Sequence, residues 1–280
     1  MALQTQLEKM GAKVLIHKLT DQLARLEQGD TTAETLVHQL EAWTASGSQR
    51  VLDPLPRVRP LVDRGATLGL LEQLSSQLPD GFAIPPSRVA HSAPQAAGWL
   101  TSALRWPLIV KPLPAHGSSD AHRMCIVNNL ACLEQLSYPV LCQNFYDHDA
   151  LLYKVFVLGD RHHVVPRPSI RNVDPAARGE ATLMAFDSHD VSKAHSQTYL
   201  NDAVAMKTAL ASNVLRRPDL ALLADRMRQH LGLTLFGFDV AAETSVHYIV
   251  DVNYFPGYKG IESFQEDLCH LLRQTVDSLE

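Results

Sequence analysis

The sequence predicts an α/β (α+β) fold, and three observations carry that prediction. Short apolar runs alternate with helical spacings over the first 78 residues. Two pairs of apolar strands, within residues 151–167 and 235–252, each close on a turn. Residues 262–279 end the chain as an amphipathic helix, with Phe264, Leu268, Leu271, Leu272, Val276 and Leu279 on one face.

The elements follow in order. Residues 14–16 form a short apolar strand, and residues 19–26 and 35–43 carry helical spacing. Val51-Leu52 reads as a strand stopped by the Asp53-Pro54 turn, and residues 58–78 as largely helical. A strand–helix–strand–helix order of this kind predicts a parallel α/β layer. Further on, residues 79–86 read as a loop with a brief strand, 96–104 as a helix and 107–111 as a strand. The loop 112–122 is rich in Pro, Gly and Ser. Strands at 124–127 and 140–145 flank a helix at 130–136. Strands at 151–158 and 162–167 turn at Gly159-Asp160, and His162-His163 reads as a surface hairpin pair. Residues 168–198 lack periodicity and read as the longest loop, of the kind that carries function. Residues 218–231 are helical, with Pro218 near the first turn, and strands follow at 235–241 and 247–252.

Composition narrows the class. The 280 residues are 46% hydrophobic and 20% charged, which is folded globular material. No apolar run is long enough to span a membrane, and residues 1–19 do not resemble a secretory signal. The net charge of −5 argues against nucleic acid as a partner. Cys125, Cys132, Cys142 and Cys269 lack paired spacing and read as reduced thiols of a cytoplasmic protein.

The sharpest local signal is Gly237-Phe238-Asp239 followed by Asp251-Val252-Asn253. In an antiparallel hairpin, Asp239 shares a face with Asp251 and Asn253 when paired residue numbers have an even sum. That register gathers Phe238, Val240, Val250 and Val252 on the other, apolar face, so the hydrophobic pattern selects it. Like charges side by side on a sheet are destabilising. A divalent cation relieves them, and oxygen ligands of this type suit Mg²⁺ with phosphate oxygens. A solvated acidic face explains the pair equally well in isolation. The aromatic turn Tyr254-Phe255-Pro256-Gly257-Tyr258 favours the metal.

Cations are spread along the chain. Lys111 ends an apolar strand, where it can reach phosphate or simply snorkel. Ala115-His116-Gly117-Ser118-Ser119 suits a phosphate-covering loop, although no Walker motif is present. Lys154 sits among apolar neighbours and faces either a pocket anion or solvent at a sheet edge. Arg167 offers a further cation, and Gln143-Asn144-Phe145 offers backbone groups to a base or is a plain strand end.

Taken together, these stretches resemble the inositol-tetrakisphosphate 1-kinase family, also called inositol 1,3,4-trisphosphate 5/6-kinases. The matching segments, in order, begin with Ile16-His17-Lys18-Leu19-Thr20-Asp21 and Leu52-Asp53-Pro54 leading to Asp63-Arg64. Next come Lys111 with Ala115-His116-Gly117, Gln143-Asn144-Phe145, and Leu152-Tyr153-Lys154-Val155-Phe156-Val157. Arg167-Pro168-Ser169, Ser188-His189-Asp190-Val191-Ser192 and Phe236-Gly237-Phe238-Asp239 lead to the Asp251–Tyr258 stretch. The resemblance implies an ATP-grasp fold. It also implies a kinase that transfers the ATP γ-phosphoryl group to a hydroxyl of an inositol polyphosphate.

By the same resemblance, Arg64, Lys111, Gln143, Ser169, Ser188 and Ser192 contact ATP. Asp239, Asp251 and Asn253 bind Mg²⁺. Lys18, His116, His122, Lys154, Arg167, Asn253 and Gly257 face the inositol phosphate, with Lys154 and Asp251 as the catalytic pair. Residues 1–74 are expected to form a partial N-terminal α/β domain, and 75–280 the ATP-grasp domain. Only 16 residues precede His17, where family members carry a further strand–helix–strand, so the front domain reads as truncated. A monomer is expected. The alternatives are an ATP-grasp carboxylate–amine ligase and a catalytically impaired binding protein.

Overall fold

The computed structural model describes residues 6, 7, 9–45, 50–173, 183–193, 198–212, 219–243 and 245–279. Strand β1 (Val14–Ile16) pairs in parallel with β2 (Arg50–Leu52). Between them run two helices, Thr20–Glu27 and Thr31–Ala45. Leu23, Val37, Leu40 and Trp43 are buried where these helices meet the sheet, as the apolar spacing predicts.

The expected long helix over 58–78 is broken into pieces. Arg59–Val62 is a tight 3₁₀ turn, and the α-helix proper is Arg64–Leu74. The break falls at Asp63, whose extended backbone (φ −126°) lets its carboxylate cap the Ala66 N–H at 2.8 Å.

Ten further strands build two five-stranded sheets. They are β3 (Phe82–Ala83), β4 (Ser87–Ala90), β5 (Leu108–Pro112), β6 (Arg123–Val127) and β7 (Val140–Asn144). The rest are β8 (Leu151–Leu158), β9 (Arg161–Pro168), β10 (Leu183–Asp187), β11 (Leu235–Ala242) and β12 (His247–Tyr254). One sheet has the order β10-β6-β5-β7-β4, the other β3-β12-β11-β8-β9. Their facing surfaces enclose a cleft.

Several sequence expectations change here. Residues 168–198 are not one loop, because β10 pairs with β6 and a helical turn, Ser188–Val191, follows it. Met184 and Phe186 pack against the small core of Ile126, Phe145 and Ile170, contacts that local periodicity does not register. The helix expected over 96–104 spans Ala93–Trp99 instead, with Ser92 at its N-cap. Strand β4 and the helix Ala203–Ser212 were without a sequence signal. Pro218 lies outside the described residues. His163 is no idle surface residue: its Nε2 sits 2.7 Å from buried Asp267, which also takes Arg161 and Ser263.

A buried polar hub ties the N-terminal sheet to the β11–β12 hairpin. Asp53 is 1% exposed, and its carboxylate accepts from Thr234 N (2.8 Å), Thr234 Oγ1 (2.6 Å) and Leu235 N (2.9 Å). Its own N–H donates to Tyr254 Oη at 2.7 Å, and its carbonyl lies 2.6 Å from His17 Nε2. Burial pushes the Asp53 carboxyl up, while Thr234 and Leu235 pull it down. Removing this group strands the buried Leu235 N–H and the half-buried Thr234 N–H, at roughly 1–3 kcal/mol for a fully buried donor and less for the other. Asp53→Ala is therefore expected to lower the unfolding free energy by about 3 kcal/mol, read by urea denaturation. An unchanged midpoint would refute the hub.

Candidate functional site

The cleft between the two large sheets has a volume of about 490 Å³. Its floor is a row of paired residues across three strands. Asp251 on β12 opposes Asp239 on β11, which in turn opposes Lys154 on β8. The even-sum register therefore holds at the carboxylates. It changes one step later: a bulge between Asp239 and Val240 pairs Val240 with Ile249. Ile249 is buried in place of Val250, and Val250, expected on the apolar face, lines the cleft instead.

The bulge has a use. The Val250 carbonyl accepts the Lys111 ammonium at 2.7 Å, which reaches it from the opposite sheet. Lys111 is 4% exposed, and burial lowers its ammonium to about 8 despite the pull of Asp251. Lys154 Nζ lies 3.1 and 3.3 Å from the two oxygens of Asp239. Asn253 Nδ2 donates to Asp251 Oδ2 at 3.1 Å.

The two carboxylates differ. Burial, opposed by Lys154 and reinforced by Asp251, pushes the Asp239 carboxyl up. Burial acts the same way on Asp251, but Lys111, Arg64 and Lys154 together hold it below the usual range. Two half-buried, directly opposed carboxylates and an amide oxygen form a hard-oxygen donor set that fits a magnesium ion sharing phosphate ligands. Among the described residues, no cluster of three His, Cys, Asp or Glu offers a rival metal site.

Local sequence explains how the floor is shaped. Gly237 opposes Asn253, and a side chain there would meet the Pro256 ring at 3.1 Å and the Val155 carbonyl at 3.2 Å. The aromatic turn thus packs directly over the strand. It is held in an unusual backbone state, with Phe255 at φ 38° and Tyr258 at φ 45°. Tyr258 Oη secures it by donating to the Val157 carbonyl at 2.9 Å.

Of the residues expected from sequence, Lys18, Arg64, Lys111, His116, His122, Gln143, Lys154, Ser169, Ser188, Ser192, Asp239, Asp251, Asn253 and Gly257 all line the cleft. Arg167 does not. Its guanidinium donates to the Lys259 carbonyl, behind the aromatic turn. The backbone N–H groups of Asn144 and Phe145 are taken by the Pro86 and Pro107 carbonyls, so neither is offered to a base. Gln143 Nε2 donates to Ser87 Oγ at 3.1 Å. Ile109, Met124, Phe186 and Val191 give one end of the cleft an apolar wall that suits a flat heterocycle.

Sequence reading missed three residues of the wall. His189 stacks on His122 with ring centroids 3.7 Å apart; it lay inside the Ser188–Ser192 stretch and was passed over. Asp21 accepts from Gly117 N at 3.1 Å, joining the first helix to the loop after β5. His148 is buried between the Tyr146 carbonyl (2.7 Å) and Ser169 Oγ (2.8 Å). Nothing local marked it, because Ser169 lies on the far side of a hairpin.

Comparison with known proteins agrees with this geometry. Residues 79–274 match the family described as the inositol 1,3,4-trisphosphate 5/6-kinase ATP-grasp domain. The inositol-tetrakisphosphate 1-kinase of Danio rerio is 34% identical over 268 residues, covering 91% of this chain and 65% of that protein. Its counterpart from Xenopus laevis is 34% identical over 267 residues with the same coverage, so the chain spans about 65% of these relatives' length. Among solved structures, a RiPP-associated ATP-grasp ligase from Chryseobacterium gregarium, in complex with ADP and a leader and core peptide, superposes with TM-score 0.56 at 13% identity. It covers 94% of this chain and 77% of that one. That likeness establishes the ATP-grasp fold. With 70% of its length matched by the family profile, the chain belongs to the inositol 1,3,4-trisphosphate 5/6-kinase ATP-grasp family.

Proposed function

We propose that this protein is an ATP-dependent kinase that transfers the γ-phosphoryl group to a ring hydroxyl of an inositol polyphosphate, of the inositol 1,3,4-trisphosphate 5/6-kinase and inositol-tetrakisphosphate 1-kinase type. One observation carries the reading. A carboxylate pair shares its cleft with four cations, Lys18, Arg64, Lys111 and Lys154, more than the two carboxylates balance, while burial lowers His116 and His122 so that they serve as neutral hydrogen-bonding groups. The excess suits an acceptor that is itself polyphosphorylated.

The apolar wall takes the purine, with Gln143 and Ser169 at its polar edge. Lys111 and Arg64 hold the nucleotide phosphates. Asp239, Asp251 and Asn253 would hold Mg²⁺, which when bound neutralises charge on the phosphate oxygens. Lys18, His116, His122, Asn253 and Gly257 orient the acceptor, and Lys154 sits between the two substrates. Phosphoryl transfer through a loose transition state depends chiefly on such positioning and charge stabilisation. The protein is further proposed to act as a cytoplasmic monomer. Its four cysteines are free, and no helix among the described residues is long and apolar enough to cross a membrane.

Incubation with Mg-ATP and a panel of inositol phosphates, with product isomers resolved, tests the reading; ATP consumed with amino acids but not with inositol phosphates would favour a ligase instead. Asp251→Ala is expected to reduce turnover by a factor of about 10³ or more, since it removes transition-state charge stabilisation, while the melting curve is retained. Full activity in that variant would sink the metal assignment. Lys111 is charged below about pH 8 and loses its proton above it. Nucleotide affinity should therefore fall as pH rises through that value. Lys111→Met should bind weakly at every pH, without this limb, in a calorimetric titration.

A further inference from the structure

Arg64 was expected to act on the nucleotide alone, yet most of its guanidinium is occupied elsewhere. The side chain is buried, the whole residue being 6% exposed. Nη1 donates to the Pro112 carbonyl at 2.7 Å and to the Pro114 carbonyl at 2.9 Å. Nη2 donates to the Ala121 carbonyl at 3.0 Å. The Arg64 backbone N–H adds a fourth bond, to the Leu113 carbonyl at 2.8 Å. These acceptors lie at the two ends of the segment that joins β5 to β6.

We propose that Arg64 is a positioning residue for the acceptor, a clasp that closes the base of the 112–122 loop and so places His116 and His122 against the cleft. This deepens the kinase reading and rests on it for the identity of the acceptor; the clasp itself stands on the hydrogen bonds alone. Three features support it. The planar fork supplies several N–H donors in fixed directions, which lets one side chain span carbonyls nine residues apart in sequence. The loop has few other ties to the body of the protein. Ala115 N donates to the Val62 carbonyl at 2.9 Å, and Gly117 N to Asp21 at 3.1 Å. Both lie in the first half of the loop; at the other end the Ala121–Arg64 bond joins the His122–His189 ring stack in holding the chain just before β6. Finally, Arg64 itself lines the cleft while its Nη groups hold the loop carbonyls, so the residue that closes the loop sits against the site.

Arg64→Lys separates the clasp from simple charge. An ammonium retains the positive charge but cannot bridge the Pro112 and Pro114 carbonyls to Ala121. Hydrogen exchange on the ligand-free protein should show loop amides 115–121 exchanging at least about tenfold faster in Arg64→Lys than in the unaltered chain. In steady-state kinetics, KM for the inositol phosphate should rise by about tenfold, and KM for ATP by clearly less. Unchanged loop exchange in the variant would overturn the clasp, as would a rise confined to KM for ATP. If Arg64→Lys does not fold, exchange in the unaltered protein still decides. Amides of Ala115 and Ala121 that exchange at the rate of an open loop would refute the proposal. The exchange experiment needs no turnover, so an absence of kinase activity would count against the functional reading and leave the clasp to be judged separately.

Discussion

Two half-buried carboxylates face each other across the β11–β12 hairpin, and much of the cleft is arranged around that opposition. Directly opposed residues on neighbouring strands lie about 4.5–5.5 Å apart at Cβ, so Asp239 and Asp251 repel at the floor of the cleft. Compensation comes from three separate elements. Lys154 extends the row from β8, Lys111 crosses from the other sheet, and Arg64 arrives from the start of a helix. The compensation is unequal: the cations draw Asp251 down, while Asp239 remains pushed up by burial. A carboxylate pair compensated this unevenly, beside several cations, is where a divalent ion and phosphate oxygens find ready partners.

The same hairpin holds the rest of the chain in place. Tyr254, the last residue of β12, sends its hydroxyl into the Asp53–His17 hub, which fixes the residue next to Lys18. Four residues later Tyr258 ties the turn back to β8. The strained turn between them carries Pro256 and Gly257 over the carboxylates. One short stretch therefore anchors the N-terminal sheet, completes the floor of the cleft and presents the backbone at the acceptor end. The core reflects this: apolar side chains from Leu23 to Leu271 form one continuous cluster across the N-terminal helices and the β8–β11–β12 sheet.

The ATP-grasp frame is shared with a RiPP-associated ATP-grasp ligase of 13% identity, so the frame by itself does not identify an acceptor. What sets this cleft apart is its lining: Lys18, Arg64, Lys111 and Lys154 gather around one pocket with His116 and His122, the feature on which the proposed polyphosphorylated acceptor rests. Where His116 and His122 stand depends on the 112–122 loop, whose two ends Arg64 ties together.

The sequence alone determined the class of fold, the parallel front layer, the strand pairs and the even-sum register at Asp239 and Asp251. Each of these is written in local periodicity, and a one-residue slip would have exposed Phe238 and Val252. Of the site residues that the ordered motifs picked out, all but Arg167 line the cleft. Only the tertiary structure decided the rest. The bulge that turns Val250 to the cleft, the withdrawal of Arg167 to Lys259, the burial of His148 on Ser169 and strand β10 within an apparent loop all depend on distant partners. So does the shared duty of Arg64. A side chain's chemistry can be read from its type, but where its donors point is settled by backbone carbonyls that lie up to 57 residues away.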